Sequence, residues 1–322
     1  MSQLPANWWY NWLKQAQQQL QAQQQLLNRI NLFPVPDADT GSNLVSTLGL
    51  ALEAIPAPAG QKDASLLTLA QLALRQARGN SGTLLAVWLL GLGQSLENSA
   101  ETLTPSQLSL ALAAGSRQAY QALSQPAQGT MLSLMQALEG LEAEGLETEG
   151  LEAEGEQDWL AYCEQLVALS GQALEGTASA QQAQNGWVDS GALGLYLILL
   201  ALAQQLTGQP YQQRAQGLLE TLSLSQPEEN QLPPAEQGVE LICQISLPNY
   251  QASELRSALE AVGTSLSLAQ IEPGPSPLWA IHVHVPQAQL ALGLLQAAGE
   301  PQQVRITSLQ APGGQDCQEG QR

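Results

Sequence analysis

The sequence predicts a mainly α-helical protein, in which a helical first domain of about 205 residues precedes a smaller α+β domain. Two observations support this order. Aromatic residues make up only 4% of the 322 residues, so the core must consist largely of Leu, Ala, Val and Ile, and Leu and Ala favour helices. Apolar residues recur at helical spacing up to residue 206, whereas strand-like alternation first appears at residue 239.

The first helix is predicted to begin near Trp9 and to end before Pro34, with a glutamine-rich face toward water. Clusters of Gly, Pro and Asn separate the further predicted helices, at residues 40–54, 65–77, 82–96, 105–124, 130–138, 158–174 and 191–206. An acidic segment, residues 141–155, repeats the pattern LExEG three times. We interpret it as a solvated loop, and the alternative is an acidic lid that gathers metal ions.

The second domain shows a different pattern. Residues 239–247 and 278–285 alternate and are β-branched, residues 251–262 and 288–298 are helical, and residues 303–309 form a last strand. The order strand, helix, strand, strand, helix, strand predicts helices layered on one sheet. We therefore divide the chain into a helical domain at residues 1–206, a linker at 207–235 and a small α+β domain at 236–322. The alternative for residues 208–234 is a further, paired helix.

Composition excludes several classes of function. With 10 Lys and Arg against 29 Asp and Glu, the chain has no basic stripe for nucleic acid. The longest uncharged apolar run, residues 191–203, is shorter than the roughly 20 residues that a bilayer span needs, which predicts no integral membrane segment. Three distant cysteines without CxxC spacing indicate a reducing, cytoplasmic location.

The densest group of polar residues is at residues 31–43, NLFPVPDADTGSN. Asp37 and Asp39 are two positions apart, and Thr40-Gly41-Ser42 opens the next helix. Mg²⁺ is usually held by one or two carboxylates together with substrate phosphates, and helix N-termini bind phosphates through their amides. This pattern predicts a metal-phosphate site, and the alternative is that Asp39 or Ser42 simply caps the helix.

Three further polar turns also precede predicted helices, at residues 78–82, 126–130 and 185–191. Glycines in such turns let backbone amides approach phosphate oxygens closely. A single Gly-Asn-Ser-Gly turn is weak evidence for a phosphate-binding site. Four such turns in one helical domain predict that the turns converge and form the rim of one site.

The segments FPVPDADTGSN, ARGNSGTLL, GTMLSL and GWVDSGALGL together resemble a known nucleotide-binding domain. It is shared by the L subunit of dihydroxyacetone kinase and the catalytic subunit of bacterial fatty acid kinase. The order and spacing are more similar to the fatty acid kinase, over residues 8–206. The resemblance implies an antiparallel barrel of about eight helices that binds ATP at one end.

The same resemblance assigns roles to individual residues. Asp37 and Asp39 would bind Mg²⁺, with Asn31 as a third polar group at the metal. The residues that would contact ATP lie in all four turns: Thr40, Gly41, Ser42, Asn43, Gly79, Asn80, Ser81, Gly82, Thr130, Met131, Asp189, Ser190 and Gly191. The family usually has Gly where this chain has Ala38, which would cost about 1 kcal/mol if that position needs a positive φ.

The second domain resembles the middle domain of the same kinase subunit, in which a cysteine and two histidines bind zinc. His282 and His284 are two residues apart on a predicted strand and so share one face. The family's spacing selects Glu240 as the third ligand, whereas thiolate chemistry favours Cys243, on the opposite strand face. We choose Glu240, and the alternative is that the two histidines bind no Zn²⁺.

The resemblance implies an ATP-dependent kinase subunit that phosphorylates a carboxylate, a fatty acid presented by a separate lipid-binding protein. A carboxylate is already ionised at neutral pH and needs no general base. Two alternatives stay open: phosphorylation of dihydroxyacetone (glycerone kinase activity), or a non-catalytic ATP-binding or scaffolding module. The family continues into a further domain that engages the lipid carrier, so a separately encoded C-terminal domain is an expected partner, and a homodimer is compatible with this interpretation.

Overall fold

The computed structural model describes residues 7–32, 37–55, 65–97, 103–141, 156–180, 187–224 and 237–309. Within these ranges, eight helices form the body of the first domain. Their bounds are α1 Trp8–Arg29, α2 Thr40–Ala54, α3 Leu66–Gln76, α4 Gly79–Glu97, α5 Pro105–Ala122, α6 Met131–Ala137, α7 Glu156–Ala180 and α8 Ser190–Thr207. Each helix packs against the next, and α8 packs back on α1, which closes the ring. The predicted antiparallel helical barrel is confirmed.

Local caps explain several helix starts that agree with the prediction, whereas α4 begins at Gly79, three residues before its predicted start at residue 82. Ser65 accepts a hydrogen bond from the Thr68 amide, 3.1 Å away, and thereby starts α3. Thr104 and Gln107 exchange side-chain hydrogen bonds with each other's backbone amides and form a capping box at α5. Asp189 caps α8, because its carboxylate accepts from the Ala192 amide at 2.7 Å. The acidic LExEG repeats lie outside the described residues beyond Leu141.

Helix α8 is the most completely apolar of the helices that form the ring and is largely buried. By length and composition it is apolar enough to cross a membrane, but 78% of its residues are buried inside the protein. Trp12 of α1 donates its Nε1 hydrogen to the Ile198 carbonyl of α8, 2.9 Å away, which ties the two helices together. A helix that is apolar on every side and covered by neighbouring helices has the character of a core helix.

Part of the segment predicted as a linker is helical. Residues Gln213–Leu224 form α9, and Tyr211 and Ala215 are buried against the core of the helical domain. The apolar spacing of Ala215, Leu218 and Leu219 produces this packing in spite of the glutamine-rich composition. Residues 225–236 of the predicted linker region lie outside the described residues.

The second domain has the predicted order of elements. They are β1 Val239–Ser246, α10 Asn249–Glu260, β2 Thr264–Glu272, β3 Leu278–Val285, α11 Ala288–Ala298 and β4 Gln302–Ser308. The strands form one antiparallel sheet in the order β2-β3-β1-β4. Leu241, Cys243 and Ile245 of β1 pack in a separate hydrophobic core with α10 and α11. The other face of the sheet is therefore free to contact the helical domain.

This second face of the sheet docks on the helical domain. Ala269, Ile271 and Ala280 belong to the core of the helical domain. The Ser124 amide, just after α5, donates to the Leu266 carbonyl of β2 at 3.0 Å. Arg256 of α10 donates to the carbonyl oxygens of Gln121, Ala122, Leu123 and Leu268, at 3.2–3.4 Å. The two domains thus share apolar and polar contacts.

Candidate functional site

The first polar turn is fixed by Asn31, which is buried just beyond the end of α1. Its Oδ1 accepts hydrogen bonds from the Asp39 amide (3.2 Å), the Thr40 amide (3.0 Å) and the Thr40 hydroxyl (2.8 Å). These bonds hold the turn against α1 and cap α2. The Asn31 oxygen could bind a cation only by giving up donors, so we assign it the role of fixing the turn.

Gly41 and Ser42 face α1. The Ser42 amide donates to Asn28 Oδ1 at 3.0 Å, and the Ser42 hydroxyl accepts from Asn28 Nδ2 at 2.9 Å and Gln24 Nε2 at 3.0 Å. A Cβ at Gly41 would collide with the Gln24 carbonyl oxygen. Sequence reasoning missed Gln24 and Asn28. Their spacing of four residues puts both on one side of α1, the side from which Asn31 follows at the end of the helix.

The second turn lies directly against the first. The Ser81 hydroxyl is 3.2 Å from the Thr40 hydroxyl, and the Asn43 side chain occupies the space that a Cβ at Gly79 would need. Gly79 has a φ of +59°, which glycine adopts without strain. Asn80 Oδ1 is buried and has no hydrogen-bond partner. Thr40, Asn43 and residues 79–82 are therefore brought together at the starts of α2 and α4.

The third and fourth turns form a second pair. Thr130 caps α6 by accepting from the Leu132 amide at 3.3 Å. A Cβ at Gly191 would lie 3.1 Å from Met131 Cβ and 3.2 Å from Asp189 Oδ1, so the starts of α6 and α8 are in contact. Because alternate helices of an antiparallel ring start at the same end, all four turns lie at one end of the barrel. Ser190 is buried there, and Asn185 and Gly186 lie outside the described residues.

Asp37 and Asp39 form a hydrogen-bonded carboxyl pair at the start of α2. Burial, and then the charge of Asp39, raises the pKa of Asp37 to about 8. Burial also raises the pKa of Asp39. It is unfavourable for two half-buried neighbouring carboxyl groups to be ionised at the same time. Such a pair therefore tends to share one proton. A divalent cation would remove that penalty, so the pair fits a Mg²⁺ ion.

The raised pKa gives a pH dependence with a definite sign. Mg²⁺ needs both carboxylates ionised, so its affinity is expected to rise between about pH 6 and pH 8 and to level off above. In the metal-free protein the pair stabilises the fold at low pH, and this contribution is lost as the pH rises toward about 8. Calorimetry in buffers of different ionisation enthalpy should detect proton release on Mg²⁺ binding. A constant Mg²⁺ affinity over this range would contradict the assignment.

Ala38, between the two aspartates, has a φ of +55°. This is the left-handed conformation, which costs Ala more than Gly. Ala38→Gly should therefore raise the free energy of unfolding by roughly 1 kcal/mol. Ala258→Gly, within α10, is the matched control and should lower it by about 1 kcal/mol. Urea denaturation measures both, and destabilisation by Ala38→Gly would show that the turn is not strained.

The second domain groups Glu240, His282 and His284, and their possible ligand atoms all lie within 4.8 Å of one another. Glu240 and His284 are opposite each other on β1 and β3. Both histidines are buried. Cys243 is buried in the core on the opposite face of the sheet. The structure thus places Glu240, and not Cys243, beside the histidines.

The hydrogen bonds of His282 restrict its protonation. Nδ1 is 3.1 Å from the Ser265 carbonyl, which can only accept, so Nδ1 carries a hydrogen. Nε2 is 2.9 Å from Glu240 Oε1, and a neutral ring would then present a lone pair to a carboxylate. Burial alone would raise the pKa of Glu240, but its hydrogen bond to His282 and the nearby positive charges lower it. A proton or a metal cation is therefore needed between these two side chains.

Ser267 is a further polar residue of this face that sequence reasoning missed. It lies opposite His282 on β2, is 2% exposed, and its hydroxyl has no hydrogen-bond partner. No sequence signal marked it, because its place depends on the register of β2 with β3.

The carboxyl pair of the helical domain lies close enough to Glu240 and His282 of the second domain for their charges to act on it. Besides burial, the negative charge of Glu240 contributes to the raised pKa of both Asp37 and Asp39, whereas the charge of His282 lowers the pKa of Asp39. Arg305 of β4 reaches the chain just before the second turn, where its Nη2 donates to the Ala77 carbonyl at 2.9 Å. The sequence did not predict this proximity, because it arises from docking of the sheet on the helices.

Two family models match this chain. The DAK2 domain model matches residues 34–204, and the FakA-like middle domain model, which describes a domain of fatty acid kinase, matches residues 238–314. Two solved structures of the dihydroxyacetone kinase of C. freundii are 24% identical. The match to the native form has a TM-score of 0.45 and covers 63% of this chain and 35% of the kinase chain. The match to the complex with AMP-PNP and Mg²⁺ has a TM-score of 0.41 and covers 61% of this chain and 33% of the kinase chain.

Curated relatives match over a similar extent. An uncharacterized protein of Staphylococcus saprophyticus is 31% identical over 198 residues, which is 61% of this chain and 34% of that protein. One from Staphylococcus haemolyticus is 29% identical over 207 residues, or 63% and 36%. The chain thus spans about a third of the length of these relatives. On the match over more than half of its length, this chain belongs to the DAK2 domain family, and its second domain is of the FakA-like middle type.

Proposed function

We propose that this chain is a kinase subunit that binds Mg-ATP at the starts of α2 and α4. It would transfer the γ-phosphoryl group to the carboxylate of a fatty acid presented by a separate lipid-binding protein. The main supporting observation is the carboxyl pair Asp37 and Asp39 beside two helix N-termini that contact each other through Thr40 and Ser81. The two matched domain families support a kinase-like, phosphotransferase function at the coarser level.

The residues present fit magnesium and a nucleotide. Asp37 and Asp39 would hold Mg²⁺, which supplies positive charge to the phosphate oxygens. The first amides of α4 have no acceptor within their own helix and can donate to phosphates. The unpartnered Asn80 oxygen is a further polar group at this point. The second pair of turns would border the rest of the nucleotide, through Thr130, Met131, Asp189, Ser190 and Gly191.

The residues of the second domain also fit a metal. Two imidazoles and one carboxylate are a common donor set for Zn²⁺, and Glu240, His282 and His284 would hold it. A bound zinc ion would contribute folding energy and positive charge beside the aspartates. The alternative is that His282 and Glu240 form an ion pair without metal.

The proposed reaction needs little covalent chemistry from the protein. A carboxylate oxygen of the fatty acid attacks the γ-phosphorus, the bond from that phosphorus to the bridging oxygen breaks, and ADP leaves with that oxygen. The products are an acyl phosphate and ADP. The task of the protein is to hold the phosphates, neutralise their charge and exclude water. The site would work in the cytoplasm, where ATP and Mg²⁺ are present.

Hydroxylamine trapping of acyl phosphate tests this proposal. The purified chain is incubated with Mg-ATP and a fatty acid, with and without lipid-binding proteins of the same organism. We expect hydroxamate only when a lipid-binding protein is present, and slow ATP turnover by the chain alone. Efficient phosphorylation of free dihydroxyacetone, or of free fatty acid without a partner, would contradict the proposal. Nucleotide binding without transfer to any acceptor would favour a scaffolding module.

A further inference from the structure

The C-terminal end of α3 is completed by side chains of the second domain. The last carbonyl groups of a helix have no partner within the helix. Gln244 Nε2 donates to the Arg75 carbonyl at 3.1 Å, and Arg305 Nη2 donates to the Ala77 carbonyl at 2.9 Å. The end of α3 is therefore held by β1 and β4 of the neighbouring domain.

The backbone that follows Ala77 is the second polar turn. The Arg78 amide donates to the Thr47 hydroxyl of α2 at 3.2 Å, and the next residue, Gly79, has a φ of +59°. The peptide unit between Ala77 and Arg78, at the start of the turn, is thus held by Arg305 through its carbonyl and by Thr47 through its amide. Because this peptide leads directly into the first turn of α4, fixing it lets the amides that follow be presented to phosphate at little entropic cost.

We propose that Arg305 is a positioning residue for the phosphate-binding turn at residues 78–82, so that nucleotide binding in the helical domain depends on a side chain of the second domain. The inference rests on the proposed function for the identity of the ligand. Arg305 acts through the Ala77 carbonyl and the backbone that this carbonyl fixes. A hydrogen bond from a charged donor, such as this one, contributes more stabilisation free energy than a bond between neutral groups.

Arg305 lies near charged side chains of both domains. Only 10 of the 322 residues are Lys or Arg, yet Arg305 lies close enough to Arg78 and Glu240 for their charges to act on it. Burial, and then the charge of Arg78, lowers the pKa of Arg305, and Glu240 opposes this. Arg256 holds the domains together at the end of α5, away from the turn, and is a natural control.

The experiment compares Arg305→Met and Arg256→Met, both in the full chain. Methionine keeps much of the side-chain stem and removes every donor. Calorimetric titration with Mg-ATP should show about tenfold weaker binding for Arg305→Met, and a change of less than about threefold for Arg256→Met. Adenosine, which has no phosphates, should bind both variants like the wild type. Arg305→Lys retains one charged donor and should restore Mg-ATP affinity to within about threefold of wild type.

Three results would overturn the proposal: wild-type affinity in Arg305→Met, equal losses in the two methionine variants, or no recovery in Arg305→Lys. If wild-type protein binds no Mg-ATP, the proposed function fails, and hydrogen exchange then tests the positioning role separately. The amides of residues 78–82 should exchange faster in Arg305→Met than in Arg256→Met. Equal exchange in those two variants would end the inference.

Discussion

Replacement of both Asp37 and Asp39 by Asn is expected to abolish phosphoryl transfer and to weaken Mg-ATP binding by roughly a hundredfold or more. Loss of a metal and its charge at the phosphates removes several kcal/mol of stabilisation, and about 1.4 kcal/mol corresponds to each factor of ten. Neutral amides should also relieve the cost of burying a charged carboxylate and the repulsion from Asp39, which together raise the pKa of Asp37. The metal-free variant is therefore expected to unfold at the same temperature as wild type or a higher one at pH 8.

An unfolding temperature that is not lowered shows that any loss of Mg-ATP binding comes from the missing carboxylates and not from misfolding. Glu53→Gln removes an exposed carboxylate from the same helix and should change neither Mg-ATP binding nor transfer. Calorimetry and the hydroxylamine assay measure the two activities, and thermal unfolding checks the fold. Wild-type affinity in the double variant would show that these aspartates do not form the magnesium site.

Glu240→Gln is expected to remove zinc from the second domain, whereas Cys243→Ala should retain it. The two residues lie on opposite faces of β1, and the structure places Glu240 with His282 and His284. A structural metal contributes directly to folding, so chelation should destabilise wild type and Cys243→Ala but have little effect on Glu240→Gln. Elemental analysis of protein purified without chelator gives the metal content.

Cys243→Ala also controls for damage to the sheet, because it leaves a cavity in the core of this domain. Zinc bound equally well by Glu240→Gln, or lost from Cys243→Ala, would contradict the ligand assignment. Absence of stoichiometric metal from the wild type would show that His282 and Glu240 form an ion pair instead.

The helices and strands could be predicted because their causes are local. The apolar spacing of α1 and the capping residues Ser65 and Thr104 act within a few residues of sequence. The glutamine-rich composition around α9 left a linker and a paired helix both open, and three apolar residues on one side were enough to bind the segment to the core. Composition is a weaker guide than periodicity in such segments.

The candidate site was only partly predictable. Asp37 and Asp39 could be selected because two carboxylates before a helix have a recognisable chemistry. Asn31 and Ser42 are engaged in hydrogen bonds that fix the turn, which sequence reasoning did not predict, and their contact with metal or nucleotide stays a prediction. Arg305 could not be predicted, since it is 228 residues from Ala77 in sequence and meets it only when the domains dock.

The central claim is that the starts of α2 and α4 form a magnesium-dependent nucleotide site. Calorimetric titration of the wild-type chain with ATP, with and without Mg²⁺, tests it most directly. The structure predicts saturable binding of one ATP per chain that requires Mg²⁺ and is lost when EDTA is added. Failure to bind ATP, or the same affinity with and without Mg²⁺, would contradict the claim.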